Sequence, residues 1–258
     1  MLNQTVKIEK VAEELIMKLG KRIFVLCALC LGSVYTASAE DTTWNFNDSL
    51  DYSGKNWGNS INISQRGQNV EISAWADTNK KGKIQNGIVA NNEHGLLAYN
   101  RDDVEWYEHT IDNVTNSDML LFSFDQAVSL TGLNLGWGFD YQTGQSDISM
   151  AGFDSLPSLH GKTWSEVVSL ATFSLSLANV SVGSTQQTGI TTEAKYWLVG
   201  AYNSVFGTTS GAAGGNDGFK LLSLTTHSKE PTGEVSAPAT GVLMAGLIAM
   251  FVYRRRDR

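Results

Sequence analysis

The sequence predicts a mostly β protein: an antiparallel, jelly-roll-like β-sandwich with one short helix and a short apolar segment at either end.

 
Three observations carry that prediction. Short runs of alternating character recur along residues 40–226, each bounded by a cluster of turn-forming residues. Long amphipathic helical patterns do not occur in that stretch. The 25 glycines and three prolines suit many tight turns and few rigid linkers.

Taken in order, the runs are Val70-Glu71-Ile72-Ser73-Ala74-Trp75, Met119 to Phe124, Ala127 to Leu135, Ala171 to Val182, Tyr196 to Tyr202 and Phe219 to Leu224. Turn clusters separate them: Asp77-Thr78-Asn79, Asn91-Asn92, Asn113 to Asp118, Gly144, and Gly211 to Gly218. Trp75, Trp137 and Trp197 lie in or beside these runs and are expected in the core. The helix is expected over Thr163–Ser174, with Thr163 as cap and Glu166 three residues on, a capping-box pattern. Its apolar positions Trp164, Val167, Val168, Leu170 and Ala171 fit one buried face. Residues 227–234 are polar and read as a linker.

The net charge of −7 hides an asymmetry: residues 1–39 and 254–258 are basic, and the stretch between them carries ten basic and 22 acidic residues. A surface that acidic repels phosphate backbones, which excludes nucleic acid as an expected partner, and it is compatible with divalent cations. Both cysteines, Cys27 and Cys30, fall in the N-terminal apolar run. A domain starting after that run has no disulfide and must be held by its core alone.

Met17 to Arg22 is a short basic region, Ile23 to Tyr35 an apolar core, and Thr36-Ala37-Ser38-Ala39 ends with small residues at Ala37 and Ala39. This is the three-part layout of a secretory signal peptide over residues 17–39, read by the Sec translocon and by signal peptidase, with cleavage expected before Glu40. Residues 1–16, with Glu9, Glu13 and Glu14, do not fit that layout and read as an upstream extension ahead of a start at Met17.

At the other end, Val235-Ser236-Ala237-Pro238-Ala239-Thr240 leads into the apolar run Gly241–Tyr253 and then Arg254-Arg255-Arg256. The run is short for a membrane-spanning helix, and the arginines would hold its end in the cytoplasm. These three parts in this order resemble a PEP-CTERM sorting signal, the tail recognised by exosortases of Gram-negative bacteria. Ser236-Ala237-Pro238 stands where the commonest form has Pro-Glu-Pro. The resemblance implies an inner-membrane intermediate, cleavage near Pro238 and transfer to the cell surface or to exopolysaccharide. A plain single-pass anchor in the inner membrane is the alternative.

The middle also resembles exosortase-dependent surface proteins. Gly95-Leu96-Leu97 and Asn100-Arg101 precede His109-Thr110-Ile111-Asp112-Asn113, then Asp118, Leu121-Phe122-Ser123-Phe124, Val128-Ser129-Leu130 and Leu135-Gly136-Trp137. That resemblance carries no catalytic residues with it.

Chemistry-bearing motifs are sparse. His94, His109, His160 and His227 lack zincin spacing, Ser146 in Gly144-Gln145-Ser146-Asp147-Ile148 lacks the second glycine of a nucleophile elbow, and no phosphate-cradling loop occurs. The chain is therefore not expected to be an enzyme. Because triads are recognised by geometry, a secreted hydrolase remains as a third reading. Asp112, Asn113 and Asp118 offer hard oxygens for Ca²⁺; the competing reading is that they close turns on their own backbone. The Asp140–Asp147 loop invites the same proposal more weakly. Trp44, Trp57, Trp106 and Tyr107 lie near expected loops and are candidates for stacking on sugar rings. The leading expectation is an exported, exosortase-sorted surface or matrix protein with a structural or interaction role in the envelope or biofilm. A carbohydrate-binding module, Ca²⁺-dependent in one form, is the alternative.

Overall fold

The computed structural model describes residues 40–47, 57–78, 82–100, 109–139 and 145–228. The protein is mostly β, with 14 strands: β1 (Glu40–Asn45), β2 (Trp57–Gly58), β3 (Ser60–Gln65), β4 (Gln68–Thr78), β5 (Lys83–Asn86), β6 (Ile88–Asn92), β7 (Gly95–Tyr99), β8 (Ile111–Asp112), β9 (Asp118–Phe139), β10 (Ser146–Phe153), β11 (Phe173–Val180), β12 (Thr185–Gln187), β13 (Ala194–Ala201) and β14 (Gly218–Ser228). Its helices are α1 (Trp164–Val168) and a 3₁₀ turn at Ser204–Phe206. Every pairing between named strands is antiparallel.

The 22-residue strand β9 organises the rest. Its first part, from Asp118 to Phe124, pairs with β4 on one side and β13 on the other, and the order runs on through β10 to β11. Its second part, from Ser129 to Phe139, pairs with β14 and, at Gly132–Asn134, with β12. On its far edge β14 takes β1, β7 and β8 in succession. Two runs expected as separate strands are thus one strand. Asp125, Gln126 and Ala127, which resemble a turn in sequence, are its exposed crossing point between two sets of partners.

Both sets of strands contribute to one main core. Ile72, Phe122, Phe124, Met150 and Trp197 come from the first set, and Trp44, Leu133, Leu135, Phe219, Leu221 and Leu224 from the second. Ring contacts join them: Trp44 to Phe124 at 5.8 Å and Phe46 to Phe122 at 5.9 Å between centroids. Alternate residues of β9, β10 and β13 point the other way. Met119, Leu121, Ala151, Phe153 and Leu198 pack with Leu159, Trp164, Val167 and Phe206 in a second cluster. These strands are therefore covered on both faces, and β10 is buried at all eight positions.

The capping box forms as expected: the Thr163 hydroxyl accepts from the Glu166 N–H, and the Glu166 carboxylate accepts from the Thr163 N–H at 2.7 Å. The helix, however, stops at Val168 rather than Ser174. Leu170 and Ala171 donate to Val167 and Val168, tightening the last turn, and the Thr172 N–H then joins Gly152 ahead of β11. Leu170, expected on the buried face, is 70% exposed because it falls beyond that end. At the close of the domain β14 continues through His227 and Ser228, two residues into the expected linker, since β1 pairs with it as far as Glu40↔Ser228.

Candidate functional site

The structure gives Asp112, Asn113 and Asp118 each its own partners. The Asp112 carboxylate accepts from the Thr110 hydroxyl and the Val114 N–H, closing its own turn. Asn113 is locked to Asp217, 104 positions away: its amide donates to the Asp217 carboxylate at 2.9 Å and to the Tyr202 carbonyl at 2.8 Å. In return its side-chain oxygen accepts from the Asp217 N–H at 2.9 Å. The Asp118 carboxylate accepts from the Asn100 amide at 3.3 Å. These contacts agree with turn closure for Asp112 and give Asn113 and Asp118 partners within the protein. Among the described residues, no group of three or more His, Cys, Asp or Glu side chains is placed to hold a metal ion.

The lock continues into Asp147. Its N–H donates to the Asp217 carboxylate at 2.7 Å, while its own carboxylate accepts from the Asn179 N–H at 2.7 Å and the Ala213 N–H at 2.9 Å. Asp217 is fully buried and Asp147 nearly so. Two acidic side chains that look like surface turn residues in sequence therefore serve as internal acceptors, tying the 207–217 loop to β8, β10 and the end of β11. Ser146 beside them is buried, its hydroxyl bonded to the Phe139 and Gly218 carbonyls, which is a structural placement and not that of an exposed nucleophile.

Trp44 is not a sugar platform. It is fully buried, with its indole N–H donating to the Thr226 hydroxyl at 3.0 Å and its ring against Phe124. It falls on the inward side of β1, where the alternation of an edge-paired strand puts it in the core. Trp57 is in β2, and its side chain lies outside the described residues, as do Trp106 and Tyr107. The rings of Tyr99 and His109, which flank residues 101–108, lie 3.6 Å apart. Trp197 is in the core as expected, and Trp75 and Trp137 are half-buried.

The processing residues Ala37, Ala39, Ser236, Ala237, Pro238, Arg254, Arg255 and Arg256 lie outside the described residues, and so does the expected membrane run at 241–253. Glu40 is described, as the first residue of β1. Among the described residues, no helix is long and apolar enough to cross a membrane.

One open depression of about 410 Å³ lies across β3, β4 and β9. Its polar wall is Asn62, Ser64, Asn69, Glu71, Ser123 and Asp125. The Ser64 hydroxyl donates to the Asn69 side-chain oxygen, and Asn69 donates through its backbone and amide N–H groups to Asp125 at 3.0 and 3.1 Å. Amides, hydroxyls and two carboxylates at a shallow surface suit a hydroxyl-rich ligand better than an apolar one. None of these six residues stood out in the sequence, because outward polar positions on strands look alike whether or not they share a hollow.

Two carboxylates are shifted. Burial raises Asp77 above the ordinary value, against the opposing pull of the Ser117 N–H, its own N–H and the nearby Trp164 indole. The Trp164 indole nitrogen is near this carboxylate without hydrogen-bond geometry to any partner. Glu166 is lowered, chiefly by the Thr163 N–H, then by the Thr163 hydroxyl and by Lys83. Neither lies in the depression. No protein-family model, curated protein or solved structure matches this chain.

Proposed function

We propose that this chain is an exported surface or extracellular-matrix protein of a Gram-negative bacterium, sorted by an exosortase, whose β domain acts as a structural or interaction module. The observation that carries the reading is the pair of tripartite ends around an acidic β domain. Within the described residues, Glu40 of β1 is the register partner of Ser228 of β14, which is compatible with that reading. Both ends of the domain therefore leave it side by side. The domain itself we read as a β-sandwich of jelly-roll type, supported by two sets of antiparallel strands sharing one core.

Fractionation of the native host tests the sorting reading. In the wild type the protein is expected at the surface or in the medium, and in a strain lacking the exosortase it is expected in the inner membrane. Retention in the inner membrane of both strains would replace the reading with a plain anchor.

The polar depression on β3, β4 and β9 favours one further reading, binding of exopolysaccharide through Asn62, Asn69, Glu71 and Asp125. Its test is a glycan pull-down with the wild type and with Glu71→Ala/Asp125→Ala. Equal retention of both proteins, or of neither, would count against it.

A further inference from the structure

Between residues 167 and 216 only Glu193 and Lys195 are charged, against 17% for the whole chain. At that average, about eight of those 50 residues would carry a charge. The neutral stretch takes in the edge strand β11, the 203–217 loop and the central strand β13. Strand β11, with the sequence FSLSLANV, pairs with β10 and stands at the end of its strand order. The 203–217 loop is fastened beside it: Asp147 binds the N–H groups of both Asn179 and Ala213, and a side chain at Gly211 would press on Asn179 at 3.1 Å. Strand β12 (TQQ) continues the same chain segment along β9.

Edge strands in soluble proteins are commonly guarded by charge, proline or a covering element, because their open backbone groups invite another strand. β11 is eight residues long and has neither charge nor proline. Its inward side chains Phe173, Leu175 and Leu177 pack on the main core but stay only half-buried, leaving an apolar rim along the edge that no strand among the described residues pairs. The outward Ser174 is exposed.

We infer that β11 is a self-association edge, at which a second copy of this chain adds its own β11 antiparallel across a two-fold axis. Two arguments select a second copy as occupant. The stretch from 40 to 253 carries a net charge of −12, so two copies repel on approach, and the uncharged strand β11 is an edge at which they meet with less of that cost. The strand is also complementary to itself. With Leu175 facing Leu175 of the second copy, Phe173 falls opposite Leu177, so apolar rim meets apolar rim, and the exposed Ser174 falls opposite Ser176, whose hydroxyl is held within its own chain by Ser149 at 2.9 Å. The two inner faces then run on as one sheet. An eight-residue strand pair buries less than the roughly 1,600 Å² of a standard stable interface, so the contact is expected to be reversible.

The test is cross-linking in the native host. In a Cys27→Ser/Cys30→Ser background, Leu175→Cys places two thiols opposite each other within disulfide reach. Mild oxidation is expected to give a dimer joined through residue 175, while Asn62→Cys on β3 gives none. Adding Ser174→Lys, an exposed substitution that sets like charges near the two-fold axis, is expected to reduce the cross-linked fraction at least tenfold with the thermal midpoint unchanged. Sedimentation of the otherwise unmodified protein and of Ser174→Lys gives a second readout independent of Leu175: concentration-dependent dimer for the first, monomer for the second. The inference is overturned if Leu175→Cys cross-links no more than Asn62→Cys, if its adduct contains a different protein, or if Ser174→Lys leaves dimerisation as it was.

Discussion

Asp217→Ala is the substitution that most directly probes the buried lock. The Asp217 carboxylate accepts from the Asp147 N–H at 2.7 Å and from the Asn113 amide at 2.9 Å, in a position with no exposure. Alanine leaves both donors in place without these acceptors. Hydrogen bonds to a charged group contribute about 1.5–3 kcal/mol each, and water entering the vacated space recovers part of that, so the expected loss is about 3–5 kcal/mol. In a domain of 150–250 residues each kcal/mol moves the midpoint by about 2–4 °C, giving a fall on the order of 10 °C. Asp217→Asn keeps the shape but turns one acceptor into a donor, so it is expected to lose about half as much. The assay is urea unfolding of residues 40–228, with amide exchange at Asp147 and Ala213 reporting whether the loop loosens first. A loss below about 1 kcal/mol for the alanine variant would refute the reasoning, because surface substitutions usually stay within that range. A midpoint that rises with Ca²⁺ and falls with chelator would do the same, since it would return Asp112, Asn113 and Asp118 to a metal site.

Three further outcomes follow from the packing. Trp44→Ala is expected to cost about 3–5 kcal/mol in urea unfolding and to leave glycan retention in a pull-down unchanged, because the ring fills the core and faces no ligand. Gly95→Ala should be far more damaging than Gly67→Ala in the same unfolding assay: both have positive φ, but a Cβ at Gly95 would lie 2.2 Å from the Leu221 carbonyl oxygen, whereas Gly67 has nothing within 4 Å. Glu166 has a lowered folded-state pKa, so its contribution is present above the ordinary glutamate value of 4.5 and is lost as pH falls through the lower folded value. Protection of the α1 amides, measured relative to the intrinsic exchange rate at each pH, should therefore fall in acid, and Thr163→Ala should remove most of that dependence.

The class of fold was legible where strands have one wet face and one dry. Val70 to Trp75 alternates in this way within β4, whereas Tyr196 to Tyr202 and Phe219 to Leu224, which overlap β13 and β14, are buried at most positions and were readable as apolar runs between turn residues. β10 escaped because a strand covered on both faces has no alternation to read, and SDISMAGF has no long apolar run either. The division of β9 into two strands had a local cause: Asp125, Gln126 and Ala127 are polar or small because no neighbouring strand covers them as partners change. The capping box was readable because its residues are three apart. The helix end was not, since it depends on Gly152 receiving the Thr172 N–H.

The site residues divide along the same line. Asp112 closes a turn within two residues, as its type and neighbours suggest. Asn113 and Asp217 meet only after β8 and β14 pair at Asp112↔Gly218, and nothing within either segment announces the other. The depression is likewise a product of register, placing Glu71 beside Ser123 across β4 and β9. What the sequence does carry locally is the pair of tripartite ends, whose proposed processing would depend on short contiguous motifs rather than on tertiary contacts.

Intact mass of the protein recovered from its host, with sequencing of both termini, tests the central claim most directly. The account predicts a chain that starts at Glu40 and has lost Arg254–Arg256 by a cut near Ser236-Ala237-Pro238, and it predicts that the tail is kept when the exosortase is absent. A protein from the wild type that still carries Gly241–Tyr253 and the terminal arginines would contradict it.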